Sequence, residues 1–378
     1  MKKIFIIQQV IPDYRAPVFN RLNNILGYEV TIIAAKNPKG LEFVDNINFV
    51  TRNKNPGFRT IFLNQKKIFG IRFFYFLELP KYIFKEKPNV VIMQNMYLPG
   101  SILSIATLFA IKFVRAKLIL WTIPFEDQGI KTFKKFIKKL LFSFVDAFLL
   151  YTESGIPIIE SYGIDKNKIF VAYNSIDTDK IFEIKQLIIA ENPLLTINRH
   201  RIIFIGRLIP WKKTDLLIKA LALVKKRFPD VELVIIGDGN ERPKLERLVQ
   251  DLKISDSVRF LGSLRDNRTK AEYLLSSTLF VLPGMGGLSI NEAMCYGLPV
   301  VCSRADGTEK HLVSNGFNGY IFREDDINDL AEKVLKIITS KELREMMSKN
   351  SLKIIKNKVN INTMISGFKQ AIEYVFNN

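Results

Sequence analysis

The chain has 378 residues, 48% of them hydrophobic and 25% charged, and a net charge of +19. That length exceeds what one hydrophobic core usually fills, so two domains of roughly 180 residues each are expected, and the composition excludes a disordered or fibrous protein. Two cysteines, Cys295 and Cys302, suggest no disulfide framework and fit a reducing cytosol, and no apolar run reaches the roughly 18 to 20 residues that a membrane-spanning helix needs.

The opening MKKIFIIQQVIPDYR carries an apolar stretch too short for a signal-peptide core and reads as a first strand, residues 3–8. Arg15, just past it, is a candidate for contact with a diphosphate or an acceptor phosphate, with a surface ion pair as its rival role. Short apolar runs at 29–34, 90–94, 118–122, 147–151 and 169–171 continue the pattern, separated by helical periods, which argues for a parallel sheet flanked by helices. Residues 1–190 hold 27 Lys and Arg against 15 Asp and Glu, so this half faces something anionic. Nucleic acid is not expected, because zinc-finger spacing, aromatic RNA-binding signatures and a recognition helix are all missing. An anionic membrane surface fits better. In KTFKKFIKKLLFSFV, Phe133, Phe136, Ile137, Leu140, Leu141 and Phe144 recur at helical spacing with Lys131, Lys134, Lys135, Lys138 and Lys139 towards the other side, as on an interfacial helix or on a helix packed against its own sheet.

The expected organisation is an N-terminal Rossmann-like domain over 1–180, a linker over 181–200, a second Rossmann-like domain over 201–355, and a C-terminal helix, 356–378, crossing back to the first domain. Strands of the second domain are expected at 201–205, 232–236, 258–261, 279–282 and 299–302. Open parallel sheets bind ligands at the carboxyl ends of their strands, so the loops after these runs hold the candidate site. In IIFIGRLIPWKK the strand ends at Gly206, and Arg207 and Lys212 follow as a fork of donors and a point charge suited to a diphosphate. In VELVIIGDGNERPKLERL, Gly237, Asp238 and Gly239 punctuate the next strand-to-helix turn, where a nucleotide edge would rest on bare backbone and Asp238 serves as ligand or as turn cap. In LFVLPGMGGLSINEAMCYGLPVVCS a loop of Gly284, Met285, Gly286 and Gly287 leads into a helix from Leu288 and Ser289, with Glu292 one turn inside it and able to reach two vicinal ribose hydroxyls.

Taken in this order and spacing, the three segments resemble glycosyltransferase family 4, whose members have two facing Rossmann-like domains, the GT-B architecture. The resemblance runs from Arg201 to Phe322, includes RFLG with Leu261 and NGFNGYIF from Asn315, and is fainter in KIFVAYNSID and IPDYRAPVFNRL. It implies transfer of a sugar from a nucleoside diphosphate, a UDP-sugar favoured, with retention at the anomeric carbon, no cofactor and no required metal. It gives Arg207 and Lys212 the departing diphosphate and Glu292 the ribose, and a lipid-linked saccharide or other glycan is the implied acceptor. Two departures stand out: the family's first glutamate falls on Gly284, leaving the backbone of Gly286 to Leu288 to hold the sugar, and no histidine occupies the first-domain position that often carries one. His200 and His311 are not placed for that role, and in WTIPFEDQG Glu126, or Asp127, is the candidate near the reacting carbon. The rival classes are a nucleotide-sugar epimerase of the same architecture and a non-catalytic nucleotide-sugar-binding protein.

Overall fold

The computed structural model describes every residue except 9, 26, 37–56, 68–73, 95–101, 124–131, 193–199, 265 and 305–308. The chain divides into two compact units, one made of Met1–Asn174 with Ile361–Asn378, the other of Ser175–Asn360.

The first unit is built on seven parallel strands, β1 (Lys2–Ile7), β2 (Tyr28–Ala35), β3 (Arg59–Leu63), β4 (Val90–Gln94), β5 (Lys117–Thr122), β6 (Ala147–Leu150) and β7 (Ile169–Val171), in the order β3-β2-β1-β4-β5-β6-β7. Alternating side chains go to opposite faces, and because both faces are covered the strands are apolar almost throughout. Ile4, Ile6, Val90, Ile92, Ile119 and Trp121 share one core with helix α1 (Ala16–Asn23) and with the C-terminal helix Ile361–Asn377. Phe5, Ile7, Val91, Met93, Leu118 and Leu120 share the other with α2 (Leu79–Glu86), α3 (Ile102–Phe113) and α4 (Thr132–Phe142). The C-terminal helix is integral to its core: Phe368 meets Trp121 edge-on at 4.9 Å, and a Cβ on Gly367 would lie 2.2 Å from the Val171 carbonyl oxygen.

The basic segment splits its apolar side chains two ways. Phe142 is buried in the sheet-facing core, whereas Phe136, Leu140 and Phe144 remain exposed beside Lys135 and Lys139. On α3, Ile105, Phe109 and Phe113 also face outwards, at a spacing of four residues. Among the described residues no helix is long and apolar enough to cross a membrane.

The second unit opens with α5 (Thr178–Glu191), capped by the Asp177 carboxylate, so most of the segment read as linker is helix. Six parallel strands follow, β8 (Arg201–Ile205), β9 (Glu232–Ile236), β10 (Val258–Gly262), β11 (Leu279–Leu282), β12 (Val300–Ser303) and β13 (Gly319–Phe322), in the order β10-β9-β8-β11-β12-β13. Between them lie α6 (Thr214–Lys225), α7 (Arg242–Asp251), α8 (Asn267–Leu275) and α9 (Leu288–Cys295), and α10 (Ile327–Thr339) and α11 (Lys341–Asn357) close the unit. The strand order reverses between β8 and β11, and at that switch point the two connections part and leave room at the carboxyl edge.

Candidate functional site

At the carboxyl edge of the second unit, backbone meets backbone. Gly206 N donates to Ile236 O at 3.0 Å, Leu208 N to Asp238 O at 2.9 Å, and Gly237 N to Gly262 O at 2.8 Å, so the connections leaving β8, β9 and β10 continue the ladder past the strands. A Cβ on Gly237 would lie 1.9 Å from Gly206 O, and one on Gly239 2.3 Å from Leu208 O, both at positive φ. These two glycines are therefore demanded by the chain's own close approach, whatever ligand rests there. The Asp238 carboxylate accepts from Gly239 N and from the Arg242 guanidinium, so it is engaged as a turn-forming group. Leu261 is half-buried on β10, and Gly262 follows at φ 67°.

After β8 the chain passes exposed Arg207 and makes a one-turn helix, Pro210–Lys212, that Lys213 ends in the left-handed conformation. This turn is fastened to the loop after β11 from two sides. Met285 N donates to Trp211 O at 3.1 Å, and Lys212 Nζ donates to Met285 O. Ser303 Oγ holds the loop's base by donating to Pro283 O at 2.7 Å. Gly284 lies against the turn so closely that a Cβ there would be 2.2 Å from Trp211 O and 2.7 Å from the Lys212 carbonyl carbon. The missing glutamate thus has a packing cause: the Trp211–Lys212 backbone fills the space its side chain would need.

Gly286, at φ 138°, brings the loop under the Lys212 ammonium, and Gly287 is the N-cap of α9, followed by Leu288 and Ser289. Sequence reasoning missed two features here. Glu292 is paired with Lys270 of α8 at 2.6 Å, with only 15% and 19% of the side chains exposed, a pairing across 22 residues that no local pattern announces. Burial, with the Glu292 charge adding to it, pushes the neighbouring Cys295 thiol and Tyr296 phenol far up, so neither ionises at physiological pH. The second feature is a pair of buried hydroxyls, Ser289 Oγ and Thr214 Oγ1, one in the first turn of α9 and one in that of α6, which have no hydrogen-bond partner among the described residues.

The structure thus brings Gly206, Lys212 and Gly286 together, and Gly206, Gly237, Asp238 and Gly239 together, at one strand-end region. Glu126 and Asp127 lie outside the described residues. His200 packs its ring against Phe228 at 5.6 Å and directly precedes β8, at the amino end of the strand and not its carboxyl end. Arg15 is in the first unit and 3% exposed, with no carboxylate partner among the described residues, so it stands buried and not at the surface where the alternative ion pair was expected. Among the described residues no three His, Cys, Asp or Glu side chains gather as metal ligands.

Comparison with known proteins covers both halves. Residues 186–354 match the family described as Glycosyl transferases group 1, and residues 20–180 match Glycosyltransferase Family 4. A glycosyltransferase of Haemophilus influenzae is 30% identical over 43% of this chain, and the match spans 46% of its own length. One of Methanocaldococcus jannaschii is 24% identical over the full length of both chains. The poly(glycerol-phosphate) alpha-glucosyltransferase of Bacillus subtilis is 29% identical over 41% of this chain and 23% of its own. Among solved structures, Anabaena HepE in complex with UDP superposes with a TM-score of 0.73 at 18% identity, covering 99% of this chain and all of that one. A glycosyltransferase from Rickettsia africae gives 0.74 at 16% identity, covering 100% and 99%. These likenesses establish the fold as GT-B.

Proposed function

The chain belongs to glycosyltransferase family 4, and we propose from that membership that it moves a sugar, with retention and without a required metal or cofactor, from a nucleoside-diphosphate sugar, UDP favoured, to a lipid-linked saccharide or other glycan of a surface polysaccharide. The observation that carries the donor half of this reading is the fastening of Lys212 onto the loop 284–287, with Arg207 on the same connection. A preset cation beside a glycine-rich loop suits a diphosphate. As the bond to the sugar breaks, negative charge grows on the leaving phosphate oxygen, and fixed donors of this kind lower the barrier by about 3 to 4 kcal/mol each. Glu292, oriented by Lys270, presents a carboxylate edge to the ribose hydroxyls. With no room for a side chain at 284, the sugar is left to the backbone N–H groups of Gly286 to Leu288 and to the Ser289 hydroxyl, which has no partner among the described residues.

For the acceptor, support comes from the B. subtilis relative, whose name records a glucosyltransferase acting on a poly(glycerol phosphate), and from the surface of the first unit. Phe136, Leu140 and Phe144, exposed next to Lys135 and Lys139, have the composition of a face that lies in an anionic lipid headgroup layer, which fits a peripheral enzyme on the cytoplasmic leaflet.

The test is a thermal-shift screen of the full chain against UDP, GDP, dTDP, ADP and CMP, with Arg207→Ala and Glu292→Ala alongside. Ligand at about 100 times its dissociation constant stabilises the fold by ~2.7 kcal/mol. A shift with one nucleoside diphosphate that both variants lose supports the reading, and no shift with any nucleotide sinks it. Donor hydrolysis in the absence of acceptor separates a transferase from a binding protein, and conversion of the donor sugar to its epimer identifies an epimerase.

A further inference from the structure

On the first unit's sheet the alternation that buries Ile4 and Ile6 against α1 and the C-terminal helix puts Gln8 on the same face. The same reasoning brings Gln94 of β4, Trp121 of β5 and Tyr151, just past β6, to that face. Register places them side by side, since Ile7 pairs with Met93 and Gln94 with Trp121. All four sit at the carboxyl ends of adjacent strands. Arg15 arrives from the connection between β1 and α1, its guanidinium carbon 4.5 Å from the Trp121 ring centre and 5.6 Å from that of Tyr151. Its Nη2 donates to Tyr151 Oη at 3.4 Å and its Nη1 to Met364 Sδ at 3.7 Å.

Counting donors against acceptors exposes an imbalance. Arg15 carries a guanidinium, is buried, and has no carboxylate beside it among the described residues. Gln8 Nε2 and Trp121 Nε1 are buried N–H groups without a partner among the described residues. Tyr151 Oη already accepts from Arg15 and from Gln94 Nε2 at 3.1 Å, and burial pushes its phenol up against the opposing pull of Arg15, so its proton stays and is a further donor. The ring contacts return part of the cost of burying the cation. A cluster of donors around a buried cation is complete only when an acceptor-only, negatively charged group joins it.

We propose that this cluster is an oxyanion site, with Arg15, Gln8 and Trp121 receiving a phosphate or carboxylate carried by the acceptor substrate. The acceptor assignment rests on the glycosyltransferase reading; the anion chemistry does not. The location fits, because open parallel sheets take their ligands at the carboxyl ends of the strands.

The experiment measures binding to the full-length chain by calorimetry and thermal shift, using methyl phosphate, inorganic phosphate and acetate, with sodium chloride at equal ionic strength as control and UDP as a separate arm. Arg15→Met keeps the volume and removes the charge, and Trp121→Phe keeps the stacking and removes the N–H. The expected result is a phosphate- or acetate-dependent rise in the wild-type midpoint, affinity weakened about tenfold or more in both variants, and an unchanged response to UDP. Without any anion, Arg15→Met should melt at or above the wild-type temperature, because an uncompensated buried charge has gone. Phosphate against acetate decides which oxyanion is taken. No anion binding by the wild type, or binding that Arg15→Met leaves intact, overturns the proposal, as does an Arg15→Met protein that melts lower and binds no less anion. Loss of the UDP response in the wild type, with anion binding retained, counts against the donor reading instead.

Discussion

Gly284→Glu would restore the glutamate that the family pattern places there, and the structure makes that restoration harmful. The added Cβ alone falls 2.2 Å from Trp211 O and 2.8 Å from Lys212 Cα, both well inside ordinary contact, and both obstacles are backbone atoms that no rotamer change can move. The Pro210–Lys212 turn must therefore back away from the loop, losing the Met285 N to Trp211 O bond and drawing Lys212 Nζ off Met285 O. Overpacking of this kind costs about 1 to 3 kcal/mol. For a unit of this size each kcal/mol lowers the midpoint by roughly 2 to 4 °C, so a fall of about 2 to 12 °C is expected. Gly284→Ala should show most of the same loss, since the first carbon causes the clash. Donor affinity should fall with it, because the lysine has left its place. Calorimetric melting and titration with UDP measure both quantities. A Gly284→Glu protein that melts at the wild-type temperature and binds UDP-sugar more tightly would show that this packing argument is mistaken.

Glu292→Gln and Lys270→Met, made singly and together, should show a coupling of about 1 to 3 kcal/mol in chemical denaturation, because each single change strands a mostly buried charge; additive losses would mean the pair does not interact. Glu232 bridges Arg201 at 2.8 Å and Arg259 at 3.1 Å, and although burial raises its pKa the two guanidiniums outweigh it and hold the carboxyl below its usual range. Its contribution is then present above the unfolded carboxylate pKa of about 4.3 and is lost as pH falls through the lower folded value. Glu232→Gln should be less stable than wild type at pH 7, with the gap closing below about pH 4; a gap independent of pH would refute the assignment. Leu140→Ser with Phe136→Ser should reduce sedimentation with anionic vesicles by about tenfold or more while leaving the melting temperature within a few degrees, since both side chains are already in solvent. Equal sedimentation of wild type and variant would remove this face as a lipid contact.

The strands that alternate strongly or run fully apolar were legible in the sequence, β8, β9 and β11 among them, because burial on both faces leaves a continuous hydrophobic signature. The edge strands β3 and β13 were not, since Arg59–Leu63 carries exposed and half-buried positions and Gly319–Phe322 is four residues long. Helix α5 reads as linker in the sequence because its apolar residues spread around the axis: Ile188 is buried while Leu187 and Ile189 are half exposed. At the candidate site, order and spacing marked Arg207, Lys212 and Glu292, yet the reason for Gly284 lies in residues about 73 positions earlier, and the surroundings of Arg15 come from Trp121, Tyr151 and Met364. Contacts of that separation leave no trace in local pattern.

The helix Ile361–Asn377 belongs to the first unit although the whole second unit precedes it in the chain. During synthesis, domains ordinarily fold in the order they emerge. Here the residues made first wait longest. Until Met364, Phe368 and Ile372 are made, one face of the β1–β7 sheet, Trp121 included, has only α1 to cover it. The second unit, whose 175–360 span is continuous, completes its core earlier. A ribosome that stalls or terminates shortly before residue 361 therefore releases a chain with a finished second unit and an open, apolar first one, a natural substrate for chaperones and proteases.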